Sequence, residues 1–165
     1  MFRIVAIVFL FFMTKVHSQD WRIGSYHHPW SDSVLNTLDL KECIAQTMMI
    51  PAWSNKGSSH IRQVEELIVR HNVGGIIFFQ GDPLSQAYLT NYYQQNSRVP
   101  LLIGIDGEWG LAMRLTNMKR FPYQMTMGAM DNDYLLHKVG YSIGEQCKRL
   151  GVHINFAPVV DVNTN

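Results

Sequence analysis

The chain has 165 residues, is 47% hydrophobic and only 16% charged, and carries a formal net charge of +1. That balance is too apolar for a disordered tail, and it gives no electrostatic basis for binding nucleic acid or an acidic membrane surface. Two cysteines, Cys43 and Cys147, cannot make a disulfide-rich scaffold or a four-cysteine zinc site.

Residues 1–18 read as a secretory signal peptide. Arg3 gives a positive start, residues 4–13 (IVAIVFLFFM) form an unbroken apolar run, and short residues at Val16 and Ser18 mark a cleavage point after Ser18. The run is about half the ~20 residues that a spanning helix takes, so no stable membrane insertion is expected. Loss of Arg3 and Lys15 lowers the basic residues from 14 to 12 against 13 acidic ones, a net charge of −1. The expected location is secreted or periplasmic. There Cys43 and Cys147 are free to pair if the fold brings them together.

Residues 19–37, rich in Trp, His, Ser and Pro without a period, read as an extended lead-in. Asp39 and Glu42 are placed as a capping box that starts a short helix through Cys43, Ile44 and Ala45. Residues 47–53 (TMMIPAW) predict a buried strand before a turn at Ser54 to Gly57. Ser59 is expected to cap a helix in which Ile61, Val64, Leu67 and Ile68 repeat at helical spacing, ending near His71 and Asn72. Residues 73–79 (VGGIIFF) predict a strand buried on both faces. Pro83 suits the first turn of the next helix, over residues 84–95. Residues 99–105 predict another strand, running straight into Asp106. Residues 107–130 read as loop. Asp131, Asn132 and Asp133 then cap a long helix stopped by Gly151, and residues 153–160 predict a fourth strand before Asp161.

Strands alternating with helices build a parallel sheet in the α/β class. Four such units are half of a parallel (β/α)8 TIM-type barrel, which takes about 250 residues. The final strand has no helix after it, so the chain is expected to be the incomplete front half of a longer protein.

In such barrels the C-terminal strand ends carry the site. Asp106 and Asp161 occupy two of these ends. Glu108 lies two residues past Asp106 and Arg114 eight past it. Carboxylate and guanidinium together suit the donor and acceptor hydroxyls of a sugar. The competing reading is that Asp106 only starts a turn before Gly107.

Residues 100–115 (PLLIGIDGEWGLAMRL) resemble the signature of glycoside hydrolase family 3, in which a strand-terminal Asp precedes x-Glu-Gly-Gly and an Arg follows eight positions after the Asp. Residues 73–79, Phe121-Pro122 with Met127 to Ala129, the helix from Gly140 to Gly151, and residues 155–162 (NFAPVVDV) resemble further segments of that family, in family order. The resemblance spans residues 38–165, the N-terminal half of the barrel domain, and is greatest to the bacterial β-N-acetylglucosaminidases. It implies that Asp106 holds hydroxyls of the terminal sugar, that Arg114 fixes the same subsite, that Asp161 lies at the rim as a third substrate-binding candidate, and that Glu108 braces the loop. It implies retaining hydrolysis without a cofactor or metal. The nucleophilic Asp and the His–Asp acid/base loop would lie beyond Asn165, so no catalytic residue is assigned here and the piece alone is expected to be inactive. A carbohydrate containing N-acetylglucosamine is the implied partner, and a further C-terminal domain is possible in the intact protein. The alternatives are a β-glucosidase or xylosidase of the same family, or a non-catalytic sugar-binding protein. Trp109 and Leu111 depart from the family pattern; Trp109 either packs in the loop or offers its ring to a sugar.

Other groups read as structural. His27 and His28 are adjacent and lack a third metal ligand. His71 and His137 sit on helices, His153 starts a strand, and Lys119 and Arg120 form a solvated pair. Gly74 and Gly75 lack the pattern of a phosphate loop.

Overall fold

The computed structural model describes residues 28–161. The signal-peptide reading, His27 and the first part of the lead-in lie outside the described residues. The elements are α1 (Pro29–Leu35), α2 (Leu40–Gln46), β1 (Met49–Ala52), α3 (Ser58–His71), β2 (Gly75–Phe78), α4 (Pro83–Asn96) and β3 (Leu102–Ile105). A 3-10 turn (Leu111–Met113), α5 (Gln124–Gly128), α6 (Asp133–Arg149) and β4 (Ile154–Asn155) follow.

The capping box forms as the spacing predicts. Asp39 Oδ1 accepts from the Glu42 amide at 2.8 Å, and Glu42 Oε2 accepts from the Asp39 amide at 3.0 Å. Glu42 has a second use. Its Oε1 takes Arg98 Nη1 at 2.6 Å, while Arg98 Nη2 donates to the Thr37 carbonyl at 2.7 Å. This ties the lead-in to the connection before β3. The lead-in is not wholly extended, because α1 lies within it. Pro29 takes the first helical position, and Ser31 and Ser33 bond back to the carbonyls of His28 and Trp30. The helix has no apolar period because it buries no residue.

Helix α3 starts two residues earlier than a Ser59 cap predicts. Gly57 is its cap, with no side-chain cap bond, and the helix ends at Asn72 in the left-handed region. Helix α4 is capped by Asp82, whose Oδ1 accepts from the amides of Leu84 and Ser85, both at 3.0 Å, with Pro83 at the first helical position. The bonds to Ser85, ahead of that to Leu84, hold the Asp82 carboxyl below its usual range.

All four strands are parallel and lie in sequence order, β1-β2-β3-β4. The register aligns Ile50, Ile76 and Ile103 in one row and Ala52, Phe78, Ile105 and Asn155 in another, two residues on. With a side-chain period of two, both rows share a face. Ala52, Ile76, Phe78, Ile103 and Ile105 there are fully buried, in one cluster with Val64 and Ile68 of α3 and Leu89 and Tyr93 of α4. The opposite face is only partly covered among the described residues: the Met49 and Phe156 side chains lie against Gly104, while Pro51 is exposed, Ile77 half-buried and Leu102 51% exposed. Residues 73–79 are therefore fully covered on one face only. Sequential parallel strands with helices on one side are the arrangement of a (β/α)8 barrel, whose second face points inward. The molecule is α/β and presents the first four strands of such a barrel.

The fourth strand is shorter than the sequence predicts. The Phe156 amide makes the last bond to β3, at 2.8 Å to the Ile105 carbonyl, and Ala157 bonds back to Asn155. Pro158 has no amide to continue the ladder. Helix α6 starts at the Asn132 cap and stops at Gly151, at φ +68°. Cys147 is its single buried residue. Cys43 and Cys147 are both free thiols, and burial pushes the Cys147 thiol up.

Tyr93 is fully buried, and its hydroxyl has no hydrogen-bond partner among the described residues. Burial raises its pKa to about 12 from 10.0. The folded state thus favours the protonated phenol. Its stabilising effect is complete below pH 10 and is lost as pH rises toward 12. Tyr93→Phe removes an orphaned polar group, so at neutral pH it is expected to change stability by less than about 1 kcal/mol or to stabilise. It should also flatten the loss of stability between pH 10 and 12. Urea unfolding of both forms at neutral pH and across the alkaline range measures this.

Candidate functional site

Asp106 follows the last residue of β3. Ile103 and Ile105 face the helices, so continued alternation puts Asp106 on the side of Gly104, toward the partly covered face. Arg114 reaches back to it from the end of the 3-10 turn. Its Nη2 donates to Asp106 Oδ2, and its Nε donates to the Asp106 main-chain carbonyl at 2.9 Å. Side-chain exposure is 28% for Asp106 and 16% for Arg114. The carboxylate is thus held along one edge, and Oδ1 makes no hydrogen bond to any described residue.

The residues after β1 and β2 support the same guanidinium. It lies over the Phe79 ring, 5.1 Å from the centroid. Phe79 stacks on Trp53 at 5.3 Å, and the ammonium of Lys56 sits 3.5 Å from the Trp53 ring centre. The Trp53 indole donates to Gln80 Oε1 at 2.9 Å, and its main-chain amide donates to His60 Nε2 at 3.1 Å. Burial, then the charge of Lys56, lowers the His60 pKa, which keeps the ring neutral and able to accept. The residues after β1 and β2 thus back Arg114 with an aromatic stack. A recess of about 330 Å³ opens beside it, lined by Asn55, Gln80, Gly81, Asp82, Arg114 and Thr116.

The backbone of Arg114 is fixed separately. Gly81 pairs with Leu115 as a single parallel bridge. The Gly81 amide donates to the Arg114 carbonyl at 3.2 Å, and the Thr116 amide donates to the Gly81 carbonyl at 2.9 Å. A Cβ on Gly81 would stand 1.7 Å from Ser54 Oγ and 2.9 Å from Ser54 Cβ. Only glycine allows the chain after β1 to approach so closely.

The structure therefore brings Asp106 and Arg114 together. Asp161 is exposed on the tail after β4 and makes no hydrogen bond or ion pair to a described residue. Glu108 does not brace the loop through its carboxylate, which has no hydrogen-bond partner among the described residues. The bracing runs through the backbone: Gln124 Nε2 donates to the Glu108 carbonyl at 2.7 Å, and Asn155 binds both polar groups of Gly107. Glu108 instead lines a larger, mostly apolar cavity of about 750 Å³ with Met127, Ile143, Cys147 and His153. Trp109 packs edge-on against Tyr123, centroids 4.9 Å apart. His153 is structural: its Nδ1 accepts from the Ile103 amide at 2.9 Å. His28, His71 and His137 are exposed. Among the described residues no group of three or more His, Cys, Asp or Glu side chains forms a metal-ligand set, and no helix is long and apolar enough to cross a membrane.

Sequence reasoning does not assign Trp53, Phe79, His60, Gly81 or Asn155 to the site. The available signal is position, since Trp53 and Phe79 follow directly on apolar strands. Replacing Gly81 with Ala is expected to cost about 1–3 kcal/mol by overpacking, and to displace the segment that carries Arg114. Gly81→Ala with Ser54→Gly removes the two nearest obstructing atoms, leaving the Asn55 main-chain nitrogen at 3.3 Å, and should recover part of that loss. Urea denaturation of the single and double variants checks both expectations.

The model of the glycosyl hydrolase family 3 N terminal domain matches residues 38–165. The chain is 34% identical over 116 residues to a β-hexosaminidase A of Pseudoalteromonas piscicida, covering 62% of this chain and 19% of that protein. It is 33% identical over 101 residues to a β-hexosaminidase of Thiobacillus denitrificans, covering 55% and 28%. Among solved structures, a β-glucoside phosphorylase BglX bound to 2FGlc aligns with a TM-score of 0.68 at 19% identity, over 83% of this chain and 24% of that one. NagZ from Neisseria gonorrhoeae, in complex with N-trifluoroacetyl-D-glucosamine, aligns with a TM-score of 0.55 at 21% identity, over 71% and 37%. The chain thus spans 19% and 28% of these two curated relatives. Its strand-end Asp106, held by Arg114, stands within the matched segment, and the chain belongs to glycosyl hydrolase family 3.

Proposed function

We propose that this chain is the sugar-gripping N-terminal part of an exported glycoside hydrolase that removes terminal β-linked N-acetylglucosamine. The observation that carries this reading is the Asp106–Arg114 pair at the end of β3. Arg114 occupies Oδ2 of the carboxylate, which leaves Oδ1 to accept from a sugar hydroxyl. The part-exposed setting lets a ligand reach that oxygen without the full cost of burying a charge. Choice of an N-acetylglucosaminide over a glucoside rests on the β-hexosaminidases among the relatives. Export rests on residues 1–18, with cleavage near Ser18, and gives a secreted or periplasmic enzyme. Asp161 belongs to the rim of the same mouth in this reading.

Hydrolysis with retention takes two groups on opposite sides of the glycosidic bond, about 5 Å apart when both are carboxylates. Asp106 and Glu108 do not meet that requirement. One is clasped by Arg114, while the other lines the separate cavity beside α6. In this reading the nucleophile and the acid/base are supplied by sequence beyond residue 165, as the resemblance to the family implies, and residues 1–165 bind but do not cleave.

Full-length protein should hydrolyse 4-nitrophenyl N-acetyl-β-glucosaminide in preference to the β-glucoside. Asp106→Ala removes one or two charge-assisted hydrogen bonds to substrate, so kcat/KM is expected to fall about 100-fold or more. Purified residues 19–165 should show no turnover. Preference for the glucoside would favour the β-glucosidase alternative. Turnover by the short piece, lost on Asp106→Ala, would overturn the division of labour.

A further inference from the structure

We propose that Asn155 is a positioning residue for Asp106, resting on the sugar-binding reading above. Asn155 ends β4 and lies directly opposite Ile105 in the ladder. Beyond this rung the main chains stop pairing, and the side chain of Asn155 takes over. Its Oδ1 accepts from the Gly107 amide at 2.9 Å, and its Nδ2 donates to the Gly107 carbonyl at 3.2 Å. A primary amide repeats the donor and acceptor of a peptide group, so it serves as one more rung where a strand would have supplied backbone. The polarity of the two Gly107 groups also fixes which side-chain atom is oxygen and which is nitrogen.

The consequence falls on the residue in between. The Ile105 carbonyl is held by the Phe156 amide at 2.8 Å. The Asp106 carbonyl is held by Arg114 Nε at 2.9 Å. Both polar groups of Gly107 are held by Asn155. The backbone on either side of Asp106 is therefore tied to its neighbours, and the direction of its carboxylate is set before a sugar arrives. Gly107 fits this role, since a Cβ there would press on Asn155 Oδ1 at 3.3 Å. Neither an aliphatic residue nor an aspartate at position 155 satisfies both partners at neutral pH, because each lacks the N–H donor that faces the Gly107 carbonyl.

The test uses full-length protein and two readouts. Amide hydrogen exchange of the peptide containing Gly107, followed by mass spectrometry without sugar, should quicken in Asn155→Ala. Hydrolysis of 4-nitrophenyl N-acetyl-β-glucosaminide should lose on the order of ten- to a hundredfold in kcat/KM, since small misplacements of binding groups cost that much. In an Asp106→Ala background the same change should cost less than about twofold, because the effect passes through that carboxylate. Asn155→Asp, a smaller change in shape, should show the same coupling if the alanine variant folds poorly. Unchanged exchange, or an equal loss with and without Asp106, overturns the proposal. A wild-type protein inert toward the glycoside, with exchange still quickened in the variant, sinks the functional reading and leaves the clamp standing.

Discussion

A single guanidinium organises this end of the molecule. Arg114 holds Asp106 by a carboxylate oxygen and by the main-chain carbonyl of the same residue, so it constrains both side chain and backbone. Such a fork of donors is particular to arginine; a lysine ammonium would satisfy one acceptor without fixing the plane of the other. Arg114 is in turn supported by the Phe79 ring and along its backbone by Gly81. Contributions from the ends of β1, β2 and β3 therefore meet at one side chain. The pairing also accounts for the part-exposed setting, because a carboxylate with one oxygen satisfied and one open is suited to a hydroxyl-bearing ligand.

The sheet explains why the site lies where it does. Parallel strands in sequence order put all C-terminal ends on one edge, and the buried rows of Ile76, Phe78, Ile103 and Ile105 anchor those ends against α3 and α4. The face opposite is only partly covered among the described residues, with Leu102 and Pro51 exposed. Parallel sheets are normally covered on both sides. The surface that faces inward in a barrel is also the one toward which Asp106 is directed.

Much of this is legible in the residues. Continuous apolar runs locate β1, β2 and β3, since a strand under helices needs no polar alternation. The Asp39–Glu42 spacing and Pro83 mark helix starts through local chemistry that does not depend on tertiary contacts. Asp106 stands out because it follows an apolar run directly, and Arg114 because of its spacing from Asp106 in a family pattern. What escapes is long-range or unpatterned. Asn155 and Gly107 are 48 residues apart, and nothing local marks that amide as the clamp. Helix α1 has no apolar period because it buries nothing. The contact of Ser54 with Gly81 and the acceptance of the Trp53 amide by His60 depend on strand register. Glu108 sits in the recognisable motif, yet the loop is braced by its carbonyl rather than its carboxylate.

The most direct measurement is a crystal structure of the full-length protein with N-acetylglucosamine bound. The expected density places a hydroxyl of the sugar within hydrogen-bond distance of Asp106 Oδ1, with Arg114 still on Oδ2. A sugar seated away from the end of β3, or an Asp106 carboxylate turned from the mouth in the complete barrel, would contradict the assignment of this pair to carbohydrate binding.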